Sequence, residues 1–508
     1  MKKIFKEWKW VILGLLIIIL IGFGIRIYNL TSLPIFCDEA IYIRWAQVMR
    51  SESTLRFLPL SDGKQPLFMW IMIPFLKIFS NPLIAGRIVS VFSGIGTLVG
   101  IFALSHLLFK SFKVSLISSF IYAIFPFSIF YDRMALADSM LSFFGVWILF
   151  FSILTVKLKR LDIAMITGFI LGGAWLTKSP ALYFSLMVPI SLIFVKSKKE
   201  LLKSSLLLIP IYLIDFGMYN ILRLGPNFQM IAIRNLDYVY PISHILTSFF
   251  DPLKPFLDRI RQFYIIYGGW AIFIAWLLSY ITNWKKHFKE IFILTVWILL
   301  PIFISAEFSK TMTARYVYFT LPYFIILVSS LFLNKNKILS KLAILLFVIF
   351  IFHSIWFDFK LLVRPEKANL PRGERAEYLE GWTAGQGISE ITKYLKNEVV
   401  NNPDSKIVVG TEGYFGTLPD GLQINFEKNP NVLVIGIGLE LNKVPTQLIE
   451  SKKFGNLTYL VANNERMNAN YKDLNLKLIA TYPKAIRPDG SYQSLMLFEI
   501  TNETISKL

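Results

Sequence analysis

Trp10-Val11-Ile12-Leu13-Gly14-Leu15-Leu16-Ile17-Ile18-Ile19-Leu20-Ile21-Gly22-Phe23-Gly24-Ile25-Arg26-Ile27 is apolar except for one arginine close to its end. A bilayer core about 30 Å thick takes roughly 20 such residues for one helical crossing. Lys2, Lys3, Lys6 and Lys9 precede the run as they would in a signal peptide. The run is longer than a typical h-region, however, and no small-x-small cleavage site follows it. It therefore reads as a retained first transmembrane helix. Similar stretches recur up to residue 357, separated by short basic interruptions. Over the 508 residues, 55% are hydrophobic and only 17% charged, with a mean hydropathy of +0.55. An ordinary soluble globular class is excluded by these values. Past Asp358 the pattern stops. Charged residues, Asn and Gly then mix with strand-like runs such as Ile407-Val408-Val409 and Val432-Leu433-Val434-Ile435, which predicts a water-soluble α/β domain. The chain thus divides into a membrane domain, 1–358, and a soluble domain, 359–508. Its single cysteine, Cys37, excludes an internal disulfide.

The net charge of +20 sits largely in short loops, the distribution of the positive-inside rule rather than of a nucleic-acid binder. Lys110/Lys113, Lys157/Lys159/Arg160, Lys196/Lys198/Lys199/Lys203, Lys285/Lys286/Lys289 and Lys335/Lys337/Lys341 mark cytoplasmic turns, and the N-terminal lysines a further inside segment. Joining them gives crossings at 10–28, 88–108, 114–131, 139–156, 161–177, 180–195, 203–221, 263–283, 290–306, 316–333 and 340–357. That is about eleven full crossings, an odd number, which places the N-terminus in the cytoplasm and the C-terminal domain outside. The stretch 67–79 is short, and counting it as a span would separate Asp38 from Asp138, so it reads as re-entrant or interfacial. The expected fold is a polytopic α-helical membrane protein with an extracytoplasmic α/β domain.

The map leaves a set of ionisable residues on the outer face. The first outer loop, 30–66, holds Asp38, Glu39, Arg44, Arg50, Asp62 and Lys64; later turns hold Asp132, Arg133 and Asp138, then Lys178, then Glu307, Lys310 and Arg315; a long loop, 222–262, holds four arginines. Charges at a membrane boundary are costly, and their clustering points to function. Sugar transfer from a lipid phosphate needs a carboxylate to take the acceptor proton and cations to stabilise the departing phosphate. Asp38-Glu39 opens the amphipathic run 40–49, at a predicted helix N-terminus that favours the charged carboxylates. The same position fits a plain N-cap. Lys64 precedes Pro66 at the boundary, where it suits a lipid headgroup or simple snorkelling. Arg133 and Asp138 fit either a structural pair or a site. Lys178, in Thr177-Lys178-Ser179-Pro180, and Arg315, before Tyr316, stand at outer helix ends.

Taken together, Asp-Glu-x-x-Tyr (Asp38, Glu39, Tyr42), Lys-x-Pro-Leu (Lys64 to Leu67), Arg-x4-Asp (Arg133, Asp138), Thr-Lys-Ser-Pro (Thr177 to Pro180) and Arg-Tyr (Arg315, Tyr316) resemble the GT-C superfamily of glycosyltransferases. Within it they are similar to the family 39-like branch of protein O-mannosyltransferases and aminoarabinose transferases. The resemblance spans about residues 9–358. It implies Asp38 as catalytic base, Glu39 as its support, Asp138 as a second acidic residue, and Lys64, Arg133, Lys178 and Arg315 as the donor-phosphate set, with Tyr42 and Tyr316 as weaker substrate contacts. It further implies a polyprenyl-phosphate-hexose donor, with mannose as a candidate sugar, and a protein, lipid or cell-envelope glycan acceptor. The usual Lys-Pro-Pro reads Lys64-Gln65-Pro66 here. Some relatives bind a metal through histidine, whereas only His244 and His353 lie near the outer face, so no required metal or other cofactor is expected.

Gly94-x-Gly96 with Gly100 contains a GxxxG inside a span and reads as close helix packing, since no strand precedes it as in a nucleotide loop. A transporter or flippase of lipid-linked sugars would share the hydrophobicity and the basic residues. It would also place ionisable residues near the midplane and broken helices in repeated halves, and neither is visible. The soluble domain, with Gly381-Trp382-Thr383-Ala384-Gly385 ahead of a predicted helix at 388–398, fits acceptor binding and a structural lid equally.

Overall fold

The computed structural model describes residues 2–506, with side chains from residue 8 onward. The side chains of Lys2, Lys3 and Lys6, used above for sidedness, lie outside the described residues. The chain forms two compact units. One comprises Met1–Leu30, Glu52–Ile71 and Arg87–Pro371; the other comprises Thr31–Ser51, Met72–Gly86 and Arg372–Leu508.

The first unit is helical. Seven helices described in the chain are long and apolar enough to cross a membrane: Trp8–Ile27, Pro82–Phe109, Ala137–Leu158, Lys198–Leu224, Leu253–Asn283, Phe288–Phe308 and Lys337–Val363. Leu67–Ile78, Phe112–Ile124, Leu161–Thr177, Ala181–Phe194 and Tyr318–Leu333 are shorter apolar helices. The eleven stretches read as crossings fall on these helices, and the stretch read as re-entrant is Leu67–Ile78. Its 12 residues reach about 18 Å, less than a bilayer core. The stretch 114–131 is broken at Phe125, where Pro126 cannot donate its missing N–H, so a second short helix, Pro126–Tyr131, begins there.

Small residues set the helix spacing. A Cβ at Gly94 would lie 2.1 Å from the Asp132 carboxylate, and one at Gly96 2.6 Å from the Phe143 ring on Ala137–Leu158. The glycine pattern is thus a close-packing device, as read from sequence. Beneath Gly94, Asp132 accepts from Arg26 Nε at 2.9 Å, from Tyr318 at 2.7 Å and from Tyr122 at 3.1 Å. The same guanidinium donates to the carbonyls of Ala123, Gly22 and Tyr122 and to Ser128. Both ion-pair partners are fully buried, and their hydrogen bonds offset the desolvation cost.

The second unit carries a five-stranded sheet: β1 Ile407–Glu412, β2 Val432–Gly438, β3 Leu457–Asn463, β4 Lys477–Pro483 and β5 Ser494–Glu499, in the order β2-β1-β3-β5-β4. β1 runs parallel to β2 and β3, while β5 is antiparallel to β3 and β4. Parallel pairs need crossovers, which Asp420–Gln423 and Thr446–Lys453 supply. Val408, Leu448, Leu460 and Phe498 form its core. Residues 31–51 fold with this domain: Cys37 N donates to the Thr383 carbonyl, Gln47 Nε2 to the Ile424 carbonyl, and Arg50 pairs with Glu427 at 2.6 Å.

Candidate functional site

Asp138 stands in the first turn of Ala137–Leu158 and is 3% exposed. The helix dipole favours its charge. Lys178, just beyond the C-terminus of Leu161–Thr177, brings its ammonium to 2.6 Å from Asp138 Oδ1. The same Nζ lies 5.8 Å from the centre of the Tyr316 ring, within cation–π range. Arg315 also reaches over Tyr316, at 5.8 Å. An ammonium has three protons and the Lys178 side chain is 23% exposed, so it has the capacity to hold Asp138 and still donate to an anion.

Gln65 Nε2 donates to Ser179 Oγ at 2.9 Å. This bond ties the Lys64-Gln65-Pro66 motif to Thr177-Lys178-Ser179-Pro180 across 114 residues of chain. The departure from Lys-Pro-Pro thus places an amide donor between the two motifs. Lys64 lies 3.4 Å from Asp62, which also pairs with Arg234 at 2.9 Å. Gly63, at φ +68°, turns the chain there, and a Cβ would meet the Met230 carbonyl at 2.7 Å.

Arg133 takes a different position from the one expected. It is 1% exposed and donates to the carbonyls of Ile25, Arg26, Tyr28 and Asn29. Ile25 and Arg26 are in the last turn of the first helix, whose carbonyls are left open, and Tyr28 and Asn29 follow it, so the guanidinium caps that helix end. It does not pair with Asp138, whose cation is Lys178. The Arg26–Asp132 network was not recognised from sequence, although an arginine inside an apolar run requires a buried partner.

In the second unit, Asp38 and Glu39 occupy the first turn of Cys37–Ser51. Glu39 is fully buried and accepts from the Phe36 backbone N–H at 3.0 Å. That is the reaching-back half of a capping box. Asp38 is partly exposed. Tyr42, 7% exposed, stacks near Trp45, with ring centres 6.0 Å apart. The same unit holds a cavity of about 820 Å³ lined by residues including Ser32, Leu33, Gly387, Thr392, Lys393 and Tyr482. Among the described residues, no three His, Cys, Asp or Glu side chains are grouped to hold a metal ion.

A many-helix unit with apolar spans, charged groups at its helix ends and a mixed sheet in a second unit define a multi-pass membrane protein. Residues 63–218 match the family described as dolichyl-phosphate-mannose-protein mannosyltransferase. The fold is that of ArnT from Cupriavidus metallidurans. The apo crystal structure aligns with a TM-score of 0.62 at 12% identity, over 97% of this chain and 98% of that one. The structure bound to undecaprenyl phosphate aligns with a TM-score of 0.61 at 12% identity, over 98% and 99%. No curated protein matches the sequence. Fold and family match agree with the resemblance carried by the motifs.

Proposed function

We propose that this protein is an integral-membrane glycosyltransferase that moves a hexose from a polyprenyl-phosphate carrier to a hydroxyl of a protein, lipid or envelope glycan at the outer face of the cell membrane. The observation that carries the reading is the Asp138–Lys178 pair, with Tyr316 and Arg315 beside it. Such a charge-assisted group, partly dehydrated, stabilises a phosphate far better than the same group in water. The family match over 63–218 favours mannose, and the lipid phosphate bound to the ArnT structure favours a polyprenyl carrier.

In this mechanism the acceptor oxygen attacks the anomeric carbon and Asp38 takes its proton. The bond from that carbon to the phosphate oxygen breaks, and the polyprenyl phosphate leaves with the electron pair. Lys178, Lys64 and Arg315 neutralise it, Asp138 orients Lys178, and Tyr42 and Tyr316 offer faces to the sugar. The proposed membrane domain lies within residues 1–358 and the proposed extracytoplasmic domain is 359–508, with 31–51, the segment that carries Asp38, folding with the sheet unit. The test is to incubate the protein in nanodiscs with polyprenyl-phosphate mannose, glucose and aminoarabinose, plus membranes from cells lacking the gene as acceptor. Liberation of polyprenyl phosphate together with acceptor labelling from one of the donors is expected. Donor that crosses the bilayer without being consumed would instead identify a flippase.

A further inference from the structure

Lys484, at the end of the β4 edge, is only 5% exposed, and its Nζ donates to the carbonyls of Gly381 and Ala384, each at 2.8 Å. These carbonyls belong to a loop that pairs directly with residues 35–37. Phe36 forms an antiparallel bridge with Ala384, Cys37 N donates to Thr383 O at 3.0 Å, and Gly385 N donates to Ile35 O at 2.9 Å. Thr417 Oγ1 secures the same Thr383 carbonyl at 3.0 Å. The fit has no slack, since a Cβ at Gly385 would lie 2.5 Å from Ile35 Cγ2 and 2.6 Å from its carbonyl oxygen. One residue beyond this pairing is Asp38.

We propose that Lys484 is a positioning residue for Asp38: its ammonium holds the 381–384 loop, the loop holds residues 35–37, and these set where the Asp38 helix begins. The inference rests on the reading of Asp38 as the base. A buried lysine is an expensive way to fill a domain interior, and its cost is visible. Burial lowers the ammonium to about 7, against the opposing pull of Glu412 and Glu465, with Arg487 adding to the fall. An apolar residue would avoid that cost but leave both carbonyls without this donor.

Cys37, the single cysteine, is buried and directly precedes Asp38, so its thiol reports on the pairing without reference to activity. In the full-length protein in detergent, Lys484→Met should raise the maleimide labelling rate of Cys37 about tenfold, as local opening becomes easier. Lys484→Gln, which keeps an amide donor, should raise it less, and carries the test if the Met variant fails to fold. In transfer assays with polyprenyl-phosphate mannose, Lys484→Met should lower kcat by about 10²-fold through misplacement of the base, with KM for the donor unchanged. A general loosening of the domain would move both constants. Unaltered labelling in the folded variants overturns the clamp. Faster labelling in a protein whose transfer does not depend on Asp38 would leave the clamp standing and remove the catalytic reading instead.

Discussion

At the scale of single residues, the account depends on cations held at a hydrophobic boundary. Removing Lys178 leaves the Asp138 carboxylate, 3% exposed, without the ammonium at 2.6 Å. Breaking a buried pair by deleting one partner costs roughly 3–5 kcal/mol, and the partial exposure of Lys178 puts this one at the lower end. Lys178→Gln should therefore lower thermal stability in detergent and reduce kcat/KM for the donor by about 10²-fold or more. Asp138→Asn should retain stability better, because the remaining lysine stays partly solvated, while still slowing transfer. A Lys178 variant that keeps full turnover would remove it from the phosphate set.

At the scale of elements, Arg133 closes the end of the first helix. Arg133→Met strips charged donors from the carbonyls at 25, 26, 28 and 29. With hydrogen bonds to charged groups each worth about 1.5–3 kcal/mol, the variant should lose at least about 3 kcal/mol, read by thermal unfolding in detergent. A variant with unchanged stability and lost turnover would return Arg133 to the phosphate. The sheet domain has its own pH signature. Burial raises Asp420 to about 6, against a bond from Gly416 N and the pull of Arg44. Between its ordinary value of 3.8 and about 6, the folded state holds the proton more tightly than the unfolded state. Stability therefore falls as pH rises through that window. Asp420→Asn should flatten that limb, as measured by denaturant unfolding from pH 4 to 7. The apolar helices, the C-terminal sheet and the glycine packing were legible in the sequence, because hydropathy and small-residue spacing are local signals. The Arg133 cap and the Arg26–Asp132 pair were not, since each joins residues about a hundred positions apart. Nothing local tells a carbonyl-bound arginine from a phosphate-bound one. The Gln65–Ser179 bond gives the amide of Lys-Gln-Pro a partner, yet from sequence Gln65 was only a departure.

At the scale of the whole molecule, the proposed odd number of crossings would put the two ends on opposite sides. A cysteine placed at Asp404, in the soluble domain, should react with a membrane-impermeant maleimide in intact cells, whereas one at Lys337 should react only after permeabilisation. The reverse pattern would invert the topology and with it the side on which transfer occurs. The central claim is that Asp38 takes the acceptor proton in transfer from a polyprenyl phosphate. It is tested most directly by the turnover of purified Asp38→Asn with a polyprenyl-phosphate-hexose donor. Because the substitution keeps the side chain's shape, the protein should fold and bind undecaprenyl phosphate as before while its transfer rate falls by about 10²–10⁴-fold; transfer at the unaltered rate would contradict the claim.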